Sequence, residues 1–245
     1  MTKEWTEEIK RVFYIAEKDV RIYFLKAPNL TFGLLLPVVL YLAFSIGRTV
    51  EPEQTIPGLV AMTAFFGAGA IQAISLPLER RTGTFNMLLT APTSLSTIIL
   101  GKTLAGFFFG TILSLTYTVI MLPFTPLPNL PLFLLGVLCS SLMFSAFGLA
   151  LSAPFRDIPQ AMPPATVVRI AMAFLSGVFI PINTMPPPLQ TAAYLSPLTY
   201  AVDALHQTMN GTLNNQMFLI DLAIQILYTL LFLMVTVQLL KRKIE

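Results

Sequence analysis

Apolar runs of about twenty residues recur along this chain, and they limit its fold more than any other feature. They lie near 30–46, 56–78, 96–122, 131–153, 160–182 and 217–240. A hydrocarbon core ~30 Å thick takes ~20 helical residues to cross, since each residue advances ~1.5 Å. Lipid offers no partner to a free backbone group, so such runs must be helical. A soluble fold has no room for them: 55% of the 245 residues are hydrophobic and 11% are charged, against about 25% charged in a soluble domain. The pattern predicts an all-α integral membrane protein, a single domain over residues 1–245 with six transmembrane helices. The first run is short, and Gly33 and Pro37 interrupt it. Neighbouring helices make such breaks tolerable in a membrane.

Lysine and arginine set the orientation. With the N-terminus inside, the cytoplasm holds Lys3, Lys10, Arg11, Lys18, Arg21 and Lys26, then Arg80, Arg81, Lys102, Arg156, Lys241, Arg242 and Lys243. Of the 15 basic residues only Arg48 falls clearly outside, and Arg169 lies within a span. Both termini are therefore expected in the cytoplasm, with the protein in the plasma or inner membrane. The charged stretch ahead of the first run is too long for the start of a secretory signal peptide.

Residues 3–26 are amphipathic at helical spacing. Trp5, Ile9, Val12, Phe13, Ala16, Val20, Tyr23 and Phe24 share one face, while Lys3, Glu7, Lys10, Arg11, Glu17, Lys18 and Arg21 fall mostly on the other. Such a helix lies in the membrane interface or packs on a partner protein, and the interface is the expectation here. Ala27-Pro28 then breaks it and turns the chain into the bilayer. At the other side, Pro181 ends the fifth run. Residues 186–210 open on Pro186-Pro187-Pro188, divide at Ser196-Pro197 and close at Asn210-Gly211. They read as two short helices, Leu189 to Tyr194 and Leu198 to Met209, in a re-entrant hairpin of the outer leaflet.

The motifs carry little chemistry of their own. Gly101-Lys102-Thr103 looks like the end of a phosphate-binding loop, but Ser96 stands where its first glycine belongs. Lys102 reads instead as a basic anchor at the inner end of the third span. Gly106 and Gly110, Ala64 and Ala68, Ser141 and Ser145, and Ala173 and Gly177 repeat a small-xxx-small spacing that lets helices approach closely in lipid. Arg169 sits either near mid-bilayer, as a pathway or dimer contact, or close enough to the inner headgroups to snorkel. Asp203 and His206, three apart, share a helix face, and Asp221 is placed at the outer end of the last span. One cysteine, Cys139, excludes an intrachain disulfide. No carboxylate pair, nucleophile–base pair or metal cluster stands out, so neither catalysis nor a metal is expected on this chain.

The remaining feature is Leu78–Pro92, a polar stretch between two spans, read as a short cytoplasmic helix. It begins with Glu79, Arg80 and Arg81 and continues through Gly83, a point for a turn or a close approach. Phe85, Leu88 and Leu89 recur at helical spacing, with Met87 as a flexible filler.

Three stretches, taken in order, resemble the permease subunits of the ABC-2 type exporters, which include daunorubicin-resistance-type and polysaccharide-exporting permeases. Glu79-Arg80-Arg81-Thr82-Gly83-Thr84, followed by Leu88-Leu89 and Pro92, is similar to the family's E-R-x-x-G-T…L…P loop. Phe174-Leu175-Ser176-Gly177-Val178-Phe179-Ile180-Pro181 is the second. The third is Ser196-Pro197-Leu198-Thr199-Tyr200-Ala201-Val202-Asp203-Ala204-Leu205, similar to N-P-L-T-Y-x-V-[DE]-x-[IL] with Ser196 in place of the commoner Asn. The resemblance runs the whole chain. It implies a dimerising six-span domain, paired with itself or a close paralogue and docked on two copies of an ABC ATP-binding subunit. ATP and Mg would bind that partner, with no cofactor and no nucleic acid on this chain. Residues 79–92 would be the coupling helix, with Glu79, Arg80, Arg81, Gly83, Thr84, Phe85, Leu88, Leu89 and Pro92 meeting the ATPase. The outer hairpin, with Pro181, Pro197, Tyr200 and Asp203, would be a lid. The implied function is export of an amphipathic drug, lipid or lipid-linked cargo. An ion-coupled carrier and a non-transporting scaffold stay open, although a carrier usually places several ionisable groups at mid-membrane.

Overall fold

The computed structural model describes residues 2–24, 27–46, 52–123, 127–209 and 213–244, and these are helical with no strand among them. Helix α1 runs Thr2–Asp19 and passes into a π turn, Val20–Phe24. Next come α2 (Ala27–Ser45), then α3 (Pro52–Ala64) and α4 (Ala70–Thr82). A second π turn, Phe65–Gly69, joins α3 and α4 into one rod. The short α5 is Thr84–Thr90, followed by α6 (Leu95–Met121), α7 (Leu130–Ser152) and α8 (Ile158–Leu175). The segment expected to be the outer hairpin, here called the outer segment, holds α9 (Pro187–Tyr194) and α10 (Pro197–Met209), and α11 (Asn215–Ile244) is the last helix. Arg48, Lys26 and Asn210-Gly211 lie outside the described residues, as do the side chains of Lys3, Trp5, Phe24 and Lys243.

Among the described residues four helices are long and apolar enough to cross a membrane: the α3–α4 rod from Thr55 to Thr82, α6, α7, and α11 as far as Arg242. Helices α2 and α8, with 19 and 18 residues, fall over the first and fifth apolar runs. Pro28 sits in the first turn of α2, where a missing N–H breaks no bond, so it opens that helix. The fifth helix stops short of expectation. It ends at Leu175, and Gly177 follows at φ 84°. This left-handed geometry turns the chain four residues before Pro181.

The rod is central. On its N-terminal half Leu59, Val60, Met62 and Phe65 are buried against Tyr117 of α6, Phe144 of α7, and Leu198 and Leu205 of α10. Phe65 meets Phe144 edge-on, with ring centroids 4.9 Å apart. The outer segment is thus part of the core rather than a loose cover. Tyr228 Oη donates to Leu195 O at 3.0 Å and Gln225 Nε2 to Tyr200 O at 3.1 Å, fastening it to α11.

Small residues set the rod's depth. A Cβ on Gly110 would lie 2.7 Å from Ala68 Cβ, and one on Gly106 would strike Ser145 and Gln72. Both glycines of the α6 pair therefore seat this chain's own rod and α7. Hydrogen bonds run beside this seam: Ser145 Oγ donates to Thr103 O (2.7 Å), Ser152 Oγ to Gln72 O (3.2 Å), and Gln72 Nε2 to Lys102 O. In lipid each is worth about 0.6 kcal/mol on average, so close packing carries most of the association.

Candidate coupling site at the basic pole

The rod ends at Thr82. Gly83, at φ 78°, caps it in the left-handed region and starts α5 in a new direction. The stretch read as one helix over 79–92 is therefore two pieces. Glu79, Arg80 and Arg81 belong to the rod, and only Thr84–Thr90 forms the separate helix.

Glu79 is completely buried. Its carboxylate meets Lys18 Nζ at 2.5 Å and Lys102 Nζ at 2.7 Å. Asp19, equally buried, meets the same two ammonium groups, Lys18 at 3.1 Å and Lys102 at 3.0 Å. Two acids and two bases from α1, α4 and α6 alternate in a closed, neutral ring. Lys102 has no exposed surface. It is not a headgroup anchor, because its ammonium finds both counter-ions inside the fold. Lys18 opens towards solvent, with 31% of its side chain exposed. Burial works against its charge, the carboxylates of Asp19 and Glu79 outweigh that, and its pKa rises above the ordinary lysine value.

Helix α1 reaches this site because α6 lets it in. A Cβ on Gly101 would lie 2.8 Å from Ile15 Cβ, so only glycine admits the crossing helix there. The apolar face of α1 divides in two. Ile15 and Ala16 are buried on the chain, while Ile9, Phe13 and Tyr14 are exposed. The helix then clamps the polar stretch along its length. Lys18 holds Glu79, Arg11 donates to Pro92 O, and Glu8 accepts from Thr97 Oγ1 at 2.6 Å. Tyr23 lies beside Thr84, its hydroxyl pushed up to about 12 by burial and by Glu79.

Arg80 is also turned inward, donating to Ala153 O at 3.0 Å and Phe155 O at 2.5 Å. Arg81 stays exposed, 3.9 Å from Asp157. On α5, Phe85 is 4% exposed and packs with Ile15, Leu76, Ile98 and Ile99, and Leu88 and Leu89 lean on the same cluster. The apolar side expected to meet a partner faces this chain instead. Thr84, Asn86, Met87, Thr90 and Pro92 are exposed, Met87 at 72%.

The remaining residues lie elsewhere. Arg169 is 7% exposed on α8, so it is buried rather than snorkelling. Pro181 is exposed and Pro197 buried; Tyr200 donates to Tyr194 O at 2.7 Å. Asp203 is exposed and His206 half-buried, one turn apart on α10; Asp221 accepts from Gln207 Nε2 at 2.8 Å. The sequence reading missed Asp19. Its signal is spacing: Asp19 follows Ile15 and Ala16 at i+4 and i+3, which puts an acid on the buried stripe.

The family described as ABC-2 type transporter matches residues 16–210, a span from the inward turns of α1 to the end of the outer segment. The chain belongs to the ABC-2 type transporter family. A probable multidrug ABC transporter permease of Escherichia coli strain K12, YbhR, is 27% identical over 157 residues, which is 62% of this chain and 42% of that relative. A putative transport permease of Porphyra purpurea, ycf38, is 31% identical over 163 residues, 63% of this chain and 55% of that relative. This ABC-2 chain spans about half the length of the curated relatives it matches.

Proposed function

We propose that the chain is the transmembrane permease of an ATP-driven exporter, with ATP hydrolysed by a separate subunit docked at the basic pole. In this reading α2, the α3–α4 rod, α6, α7, α8 and α11 make six spans with both termini in the cytoplasm. Two permeases, identical or closely paralogous, sit on two ATPase subunits, and the cargo is an amphipathic drug, lipid or lipid-linked molecule. The names of the relatives support transport, and the family supports the ABC partner.

The observation that carries the proposal is the construction of α5. It is a short helix hung from the inner end of the central rod, held on one side by buried side chains and bare on the other. A partner pressing on Asn86, Met87 and Thr90 moves α5, and the cluster around Phe85 passes the displacement to the rod and α1. The ion ring makes rod, α1 and α6 move as one body. An ion-coupled carrier fits less well, because the carboxylates of Asp19 and Glu79 are already closed on lysines.

The test is Met87→Asp, made in the chain co-expressed with its ATPase. The exposed position predicts unchanged melting of the permease, with loss of ATPase co-purification and of transport. A variant that keeps both defeats the docking assignment.

A further inference from the structure

Among the described residues two cations are deeply buried, and they differ in company. Lys102 has two carboxylates within 3.0 Å. Arg169, 7% exposed, has none within ion-pair distance among the described residues. Its Nε donates to Ala165 O at 3.0 Å and its Nη2 to Thr166 Oγ1 at 3.5 Å, both on its own helix. Among the described residues Nη1 has no partner.

The neighbours do not supply the missing charge. Helix α8 packs on α4, α7, α9 and α10. Neither α7 nor α9 contains an acidic residue. Helix α4 brings Glu79, already closed in the ring, together with Arg80 and Arg81; α10 brings Asp203, which is exposed, and His206. A second copy would offer the same acids; among the described residues Asp203 alone has neither an ion pair nor a structural bond, and it lies within the outer segment. A buried charge without a counter-ion is strongly unfavourable, and within a span such a residue marks a functional site. A guanidinium is also a planar fork that matches phosphate or carboxylate oxygens in pairs.

We propose that Arg169 receives the anionic headgroup, phosphate or carboxylate, of a membrane amphiphile whose apolar part lies along the exposed Val167, Ile170 and Phe174 of α8. Thr166, exposed and bonded to the guanidinium, marks the edge by which the headgroup enters. This rests on α8 being a membrane span and narrows the proposed cargo to anionic amphiphiles.

The full chain in phosphatidylcholine nanodiscs is titrated with dioctanoyl phosphatidic acid and with dioctanoylglycerol, its uncharged counterpart. The wild type is expected to favour the anionic probe by about tenfold, the worth of a charge-assisted pair. Arg169→Gln is expected to lose that preference and bind the neutral probe as before. Arg169→Lys should lose several-fold for the anionic probe alone. An unchanged preference in Arg169→Gln overturns the site, as does no preference in the wild type. If Arg169→Gln does not fold, an unchanged preference in Arg169→Lys overturns it. A dimer that falls to monomers in Arg169→Gln while anion binding persists also overturns it, giving the guanidinium to Asp203 of a second copy. Anionic phospholipid that co-purifies with the wild type and not with Arg169→Gln supports the site and identifies a resident lipid. Stimulation of ATP hydrolysis by the anionic probe supports the site and identifies cargo. Anion binding at Arg169 with no ATPase partner found would defeat the exporter reading and leave the site standing.

Discussion

The two halves of the stretch from Glu79 to Pro92 are built to opposite rules. In the first half, two of the three charges point inward: Glu79 is completely buried between two lysines and Arg80 reaches backbone carbonyls, while Arg81 stays exposed. In the second half the exposed face is mostly uncharged, with Asn86, Met87 and Thr90 bare and Phe85 driven into the protein. The difference separates holding from touching. Glu79 and Arg80 bind the chain to itself, while Arg81 and the soft, polarizable Met87 face outward. Charge in a loop is therefore no guide to where a partner binds until its burial is known.

The comparison breaks most severely at Lys102. Lys102→Met leaves two buried carboxylates facing one ammonium, and removing one partner of a buried pair costs about 3–5 kcal/mol. Denaturant unfolding in mild detergent measures it, and adding Glu79→Gln should return part of the loss because a charge of each sign is then gone. A loss below about 1 kcal/mol would mean that water reaches the ring. Phe85→Ala comes next, at about 3 kcal/mol for emptying an aromatic site. It should lower stability where Met87→Asp does not, and equal stability loss in the two would erase the distinction between the faces of α5. Gly83→Ala isolates the joint. Nothing lies within 4 Å of a Cβ there, so the only penalty is left-handed geometry, about 1–2 kcal/mol. The smallest stability effect belongs to Arg81→Glu, within about 0.5 kcal/mol for an exposed side chain. It should still weaken ATPase association in a salt-dependent way, and salt-independent binding would remove Arg81 from the docking surface.

Helix content, the apolar spans and the turn at Gly83 could all be read from local pattern. Apolar length and a glycine after a polar helix end are each properties of a few adjacent residues. Glu79, Lys102 and Asp19 were legible only as charges, and a charge defaults to solvent unless its counter-ion is known. The ring closes only because two of its pairs, Lys18 with Glu79 and Asp19 with Lys102, join residues 61 and 83 apart in the chain. Leu88 failed for a related reason. Its spacing says that one side of α5 is apolar, but not whether that side faces a partner or home. In the structure it leans on the cluster with Ile15, so Leu88→Asp would disturb the fold as well as docking.

The π turn at Phe65–Gly69 bears on the ring as well. A π turn holds one residue more than an α turn, so every side chain beyond it is out of phase with those before by about 100°. The two ends of the rod can thus be registered independently, the N-terminal half to its aromatic neighbours and the C-terminal half to the lysines. Excising a single residue between Phe65 and Gly69 would restore an ordinary helix and rotate Glu79 by about a quarter turn out of its ring. The inserted residue acts as a phase-setting washer some three turns away from the charges that it aligns.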